Sequence, residues 1–147
     1  MQTIHEQADK TMAAHRLDAA LLARSYPWRA VLDAGGIIAN GSDSPMEDGN
    51  PFHGFHAAVT RTPFAPFAEA SVQSVRMTRK EALLSYTAWA ACAEFGEREK
   101  GTLEAGKLAD FAVLDTDIMT CPEEDIPATR ALMTVLGGET VYCSEDW

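Results

Sequence analysis

The chain has 147 residues, 46% of them hydrophobic and 23% charged, which suits one soluble domain or a piece of a larger one. Its net charge of −10 argues against a nucleic-acid partner or an acidic membrane, because phosphate binding needs clustered Lys and Arg. Cys92, Cys121 and Cys143 are few, odd in number and far apart. They suggest neither a disulfide framework nor a zinc knuckle. No run approaches the length of a membrane span and the N-terminus lacks a signal pattern, so the expected compartment is the reducing cytoplasm.

Residues 8–24 are Ala-rich with Met12, Leu17, Leu21 and Leu22 in a partial stripe, and predict a helix that Tyr26-Pro27 interrupts. Pro27 suits a first helical position, and WRAVLDAGG predicts a short helix closed by Gly35 or Gly36. Residues 36–40 are short, apolar and β-branched, and run into Gly41-Ser42-Asp43-Ser44-Pro45. Helix, glycine stop and buried strand together predict one step of a parallel α/β sheet.

The long loop DSPMEDGNPFHG then lies where α/β proteins keep their chemistry, at the carboxyl end of a strand. A helical turn or two is expected over residues 55–61 and an irregular connection over residues 62–75. Thr78 and Glu81 form a capping box for a helix expected to run to Gly96. Beyond it, turns at Gly101 and Gly106 and a strand over residues 111–115 are expected. A helical turn at residues 122–125 and a hairpin of residues 133–136 and 140–142 across Gly137-Gly138 complete the chain.

Asp43 is the leading candidate for chemistry. A carboxylate directly after a buried strand, among Gly41, Ser42 and Pro45, can face a pocket and either serve as a base or ligate a metal. The competing reading is a loop Asp that caps the next turn. His5, His15, His53 and His56 make no HxH, HExxH or carboxylate–His pair at metal-ligand spacing. His15 is expected at the surface. His53 and His56 are three apart and suit one face of a helical turn, where packing and solvent compete with a ligand role. A Ser nucleophile elbow, a phosphate loop and a dinucleotide fingerprint are all absent. Cys92 reads as core, and Trp28, Trp89 and Tyr86 as packing residues.

Several stretches together carry a resemblance. GTLEAGKLADFAVLD, residues 101–115, resembles the GxLxxGKxADxxVLD signature of the metal-dependent amidohydrolase superfamily. Residues 26–35 (YPWRAVLDAG), 41–45 (GSDSP), Asn50-Pro51 and 133–142 (MTVLGGETVY) resemble its YtcJ-like branch. So does QTIH at residues 2–5, with Thr3 in place of the usual proline.

The resemblance implies an α/β fold, with residues 1–100 forming the last strands and helices of a (β/α)8 barrel. Residues 101–147 would form the C-terminal part of a small β-sandwich. It makes residues 36–40 the last barrel strand and puts Asp43 at its catalytic end, binding the metal and shuttling a proton to the leaving amine. His5 would face the same mouth and bind substrate, and Asp110 would hold backbone in the sandwich. The implied reaction is hydrolysis of a carbon–nitrogen bond of a small amide or cyclic amide by metal-activated water, with zinc as the expected divalent metal.

A full barrel of this kind takes ~250 residues. The family's first-strand HxH or HxD pair, its bridging Lys or Glu and its mid-barrel histidines have no counterpart in this sequence. The chain is therefore expected to be a C-terminal portion that need not bind metal by itself. The alternative is a non-catalytic or split-enzyme module that self-associates or pairs with the missing strands.

Overall fold

In a computed structural model of the chain, residues 1–61 and 75–145 are described. The expected irregular connection falls almost wholly on residues 62–74, outside them. Helices α1 (Ile4–Arg16), α2 (Ala19–Ala23), α3 (Trp28–Asp33), α4 (Pro51–Thr60), α5 (Arg79–Tyr86) and α6 (Ala88–Ala93) come first. Strand β1 (Phe111–Leu114), a 3₁₀ helix (Glu123–Ala128), β2 (Ala131–Leu136) and β3 (Glu139–Cys143) follow.

Local chemistry sets the helix ends. The helix expected over residues 8–24 is two helices, because the Asp18 carboxylate accepts from the Leu21 amide and starts α2 afresh. α3 stops as its glycines predict: the Gly35 amide donates to Leu32 and the Gly36 amide to Val31, with Gly35 at φ +82°. That is a Schellman stop, and it needs a left-handed residue. The Asn50 side chain accepts from the Phe52 amide and Pro51 opens α4, which is longer than the turn or two expected. Thr78 and Glu81 make both bonds of the capping box on α5. The helix expected to continue to Gly96 instead breaks at Thr87, whose φ −126° and ψ −95° are not helical.

Residues 36–40 depart most from expectation. Among the described residues they form no strand and pair with none, so the parallel strand expected there is not seen. The alternation survives, with Ile38 3% and Ile37 48% exposed. A parallel strand takes its hydrogen bonds from neighbours on both sides. Here the Asn40 amide donates to the Ser85 carbonyl and the N-terminal amine to the Ala39 carbonyl, while the Asn40 side chain bonds to Thr3.

The sheet of the last third is an antiparallel meander in the order β1-β2-β3, with Phe111 opposite Val135 and Leu136 opposite Glu139. Gly137 and Gly138, both at positive φ, form the two-residue turn. The Asp110 carboxylate accepts from the Gly137 amide at 2.6 Å, so this motif aspartate does hold backbone as the resemblance implied.

One core joins the helices to the tail. Trp28, Ile38, Phe55, Ala58, Val59, Met77, Ala82, Ile118 and Ile126 cluster together, and α4 packs on the 3₁₀ helix. Arg61, just past α4, donates to the Ser25 and Tyr26 carbonyls and lays its guanidinium over the Trp28 ring, 4.5 Å from its centre. Cys92 is exposed, since α6 buries Ala91 and turns Cys92 outward.

Candidate functional site

The polar loop after residue 40 begins at a strained point. Asp43 lies at φ +60°, a left-handed conformation that costs an L-residue roughly 1 kcal/mol and that Asp tolerates better than most. Its backbone carbonyl accepts from the Met46 and Glu47 amides and so closes the following turn. The carboxylate is thereby left out of the capping role that competed with chemistry in the sequence. It turns instead to His5, with Nε2 and Oδ2 3.1 Å apart.

The pair joins the first turn of α1 to a loop 38 residues away. Its side chains are 30% (His5) and 45% (Asp43) exposed, so both reach solvent and neither is sealed in the core. In the tautomer with hydrogen on Nε2, His5 donates to the carboxylate and fixes its direction.

Beneath the pair lies a buried polar junction. The Asn40 side chain accepts from the Thr3 and Gly41 amides at 3.0 Å each, and donates to Thr3 Oγ1 at 2.9 Å and Ser85 Oγ at 3.3 Å. Thr3 and Ser85 are fully buried. Asn40 and Ser85 did not stand out in the sequence, and Thr3 only as the replacement of a proline. The available signal was a polar residue ending an apolar β-branched run, where an amide must find partners.

The other histidines go elsewhere. His53 pairs with Asp48, Nδ1 to Oδ2 at 3.2 Å, and has Asn50 beside its other nitrogen. His56 is half-buried on α4; desolvation pulls its pKa down, opposed by Glu123 and reinforced by His53 and Arg76. His15 is exposed on α1, as expected, and lies against the Thr11 carbonyl.

The residues present do not make a metal centre by themselves. Among the described residues no group of three or more His, Cys, Asp and Glu side chains converges. His5 and Asp43 offer one nitrogen and one oxygen, and they face each other. A catalytic zinc takes three protein ligands.

The amidohydrolase family model matches residues 1–142. Over 118 residues, 80% of this chain and 20% of the relative, the chain is 36% identical to "Protein LONG AFTER FAR-RED 3" of Arabidopsis thaliana. It is 27% identical to "Putative amidohydrolase YtcJ" of Bacillus subtilis over 128 residues, 86% of this chain and 24% of that protein. The "N-substituted formamide deformylase" of Arthrobacter pascens is 33% identical over 117 residues, 80% of this chain and 21% of the deformylase. No solved structure matches. The chain thus spans about a fifth to a quarter of the length of the curated relatives it matches. The match of the family model to nearly the whole chain makes it a member of the amidohydrolase family, in the YtcJ-like branch.

Proposed function

We propose that this chain is the C-terminal portion of a longer hydrolase that cleaves a non-peptide carbon–nitrogen bond of a small amide or cyclic amide. Asp43 moves the proton. The observation that carries this reading is the 3.1 Å approach of His5 Nε2 to the Asp43 carboxylate on the loop after residues 36–40. Family membership and the relatives named amidohydrolase and formamide deformylase support the reaction class.

Asp43 would accept a proton from the attacking water as the new carbon–oxygen bond forms, and return it to the nitrogen as the carbon–nitrogen bond breaks. His5 would hold the carboxylate's direction and contact the substrate at the same mouth. The divalent metal that the family implies, with zinc expected, would need donors from outside this chain. Asp43 would be the one donor contributed here.

In this reading residues 1–100 are the end of a barrel and residues 101–147 part of a β-sandwich. The protein works in the cytoplasm, where its three free cysteines would stay reduced. Among the described residues no helix is long and apolar enough to cross a membrane. The test is turnover of an N-substituted formamide by the protein as its gene expresses it. Asp43→Asn should lower kcat by several orders of magnitude. Activity within tenfold of wild type would sink the assignment.

A second reading is favoured by one feature. Leu136, Val141, Tyr142 and Leu103 are exposed, and an apolar groove of ≈ 740 Å³ opens between α4, α5 and β1. Such surfaces suit a module that joins another chain through uncovered faces. A monomer in light scattering with stoichiometric zinc would count against it; an oligomer without metal would favour it.

A further inference from the structure

We infer that Asn40 is a positioning residue for the His5–Asp43 pair and that its amide is required, a carboxylate of the same shape being the wrong chemistry. The inference rests on the reading of that pair as the working site.

Asn40 has four hydrogen-bonding places, two lone pairs on Oδ1 and two hydrogens on Nδ2. All four are used. Oδ1 accepts from the amides of Thr3 and Gly41; Nδ2 donates to Thr3 Oγ1 and Ser85 Oγ. The two hydroxyls have no proton to give back. Thr3 Oγ1 donates to the Gly54 carbonyl at 2.6 Å, and Ser85 Oγ donates to the Ala82 carbonyl at 2.7 Å. Each therefore meets Asn40 with a lone pair, and only an N–H suits that place.

The junction ties together the segments that carry the pair. Thr3 is two residues before His5, and Gly41 is two before Asp43. Ser85 and Gly54 belong to α5 and α4, and the Ser85 carbonyl also accepts from the Asn40 amide at 2.9 Å. Both ends of the His5–Asp43 contact are thus referred to one amide anchored on two helices. A pair 30% and 45% exposed has little packing of its own to hold it at 3.1 Å. Rigid support beneath such a contact is what keeps it within the roughly 0.5 Å that proton transfer tolerates.

Asn40→Asp keeps the shape and sets a carboxylate oxygen against two hydroxyl oxygens. Thr3→Val keeps the shape and removes one acceptor with its Gly54 bond. The readout is the ¹⁵N resonance of His5 Nε2, measured above the imidazole titration range in the protein as its gene expresses it. Circular dichroism checks the fold.

In the wild-type background Asp43→Ala should shift that resonance, because the acceptor is lost. In the Asn40→Asp background the same substitution should leave it unmoved. If the shift is the same in both backgrounds, the positioning role is overturned. Should Asn40→Asp fail to fold, the same comparison in Thr3→Val decides: a reduced shift supports the role and an undiminished one overturns it. Neither outcome depends on turnover, so an active Asp43→Asn enzyme would sink the proposed function and leave this test standing.

Discussion

Arg29 holds Glu81 with both arms, Nη1 to Oε2 at 2.8 Å and Nη2 to Oε1 at 2.9 Å, while Glu81 also accepts from the Thr78 amide and hydroxyl. One carboxylate thereby caps α5 and pins it to α3. Two parallel charge-assisted bonds are among the stronger polar contacts a protein makes. They matter to the site because the last turn of α5 carries Ser85, an anchor of Asn40.

This arrangement predicts an acid-labile contribution to stability. The Arg29 hydrogen bond, seconded by the Thr78 bonds and the Arg29 charge and opposed by burial, lowers the Glu81 pKa from 4.5 to about 2. A carboxylate depressed in the folded state stabilises fully above its unfolded pKa, and that stability fades as pH falls from about 4.5 towards 2. At ~1.4 kcal/mol per unit the ceiling is about 3 kcal/mol. Urea unfolding of wild type and Glu81→Gln should differ most at pH 7, differ by less than half as much near pH 3 and converge towards pH 2. A gap of equal size at pH 7 and pH 3 would refute the linkage.

Gly54 should not accept a side chain. A Cβ built there overlaps the Tyr86 hydroxyl and comes within 3.5 Å of Thr3 Oγ1, inside a buried part of α4. In an unconstrained helix Gly→Ala gains roughly 1 kcal/mol. Here Gly54→Ala should instead lose about 1–3 kcal/mol, as overpacking does. Gly54→Ala with Tyr86→Phe should recover part of that loss. A stabilised single variant in thermal melts would show that the Tyr86 ring moves aside freely.

What the sequence disclosed divides by the range of the interaction. The capping box of Thr78 and Glu81, the Gly35 stop and the Gly137-Gly138 hairpin were legible because each is decided within six residues or fewer. The break at Asp18 was equally local but was hidden by the Ala-rich run around it. In residues 36–40 the core position Ile38 was legible, but the buried strand expected there is not seen: Ile37 is exposed and no described strand pairs with the segment. At the site, the GSD motif singled out Asp43. Its contact with His5 spans 38 residues, which no spacing rule encodes.

Asp43 gives a case in which stability and function should separate. Its left-handed φ of +60° costs a β-carbon roughly 1 kcal/mol that glycine avoids, although glycine gains entropy when unfolded. The two effects nearly offset each other. The exposed His5 contact adds little, as surface pairs usually contribute under about 1 kcal/mol. Asp43→Gly should therefore stay within about 1 kcal/mol of wild type in denaturant unfolding while losing the turnover ascribed to the carboxylate. Asp43→Val, β-branched at positive φ, should lose both. A glycine variant destabilised by more than about 2 kcal/mol would mean that the carboxylate is chiefly structural.

Asp110 supplies the opposite case, a motif carboxylate bonded to backbone. It accepts from the Gly137 amide at 2.6 Å, and beside it the Gly138 amide donates to the Ala109 carbonyl at 3.1 Å. The β2–β3 turn is thereby fastened to the chain entering β1. A charged acceptor on a backbone amide is worth roughly 1.5–3 kcal/mol, and its exposure puts this one at the lower end. Asp110→Ala should accordingly lose about 1.5 kcal/mol and speed hydrogen exchange at Gly137. Asp110→Asn, which keeps an acceptor, should lose less. Neither substitution should alter kcat for an N-substituted formamide once the protein is folded. A drop in kcat with unchanged unfolding would move Asp110 from the sheet's turn to the site.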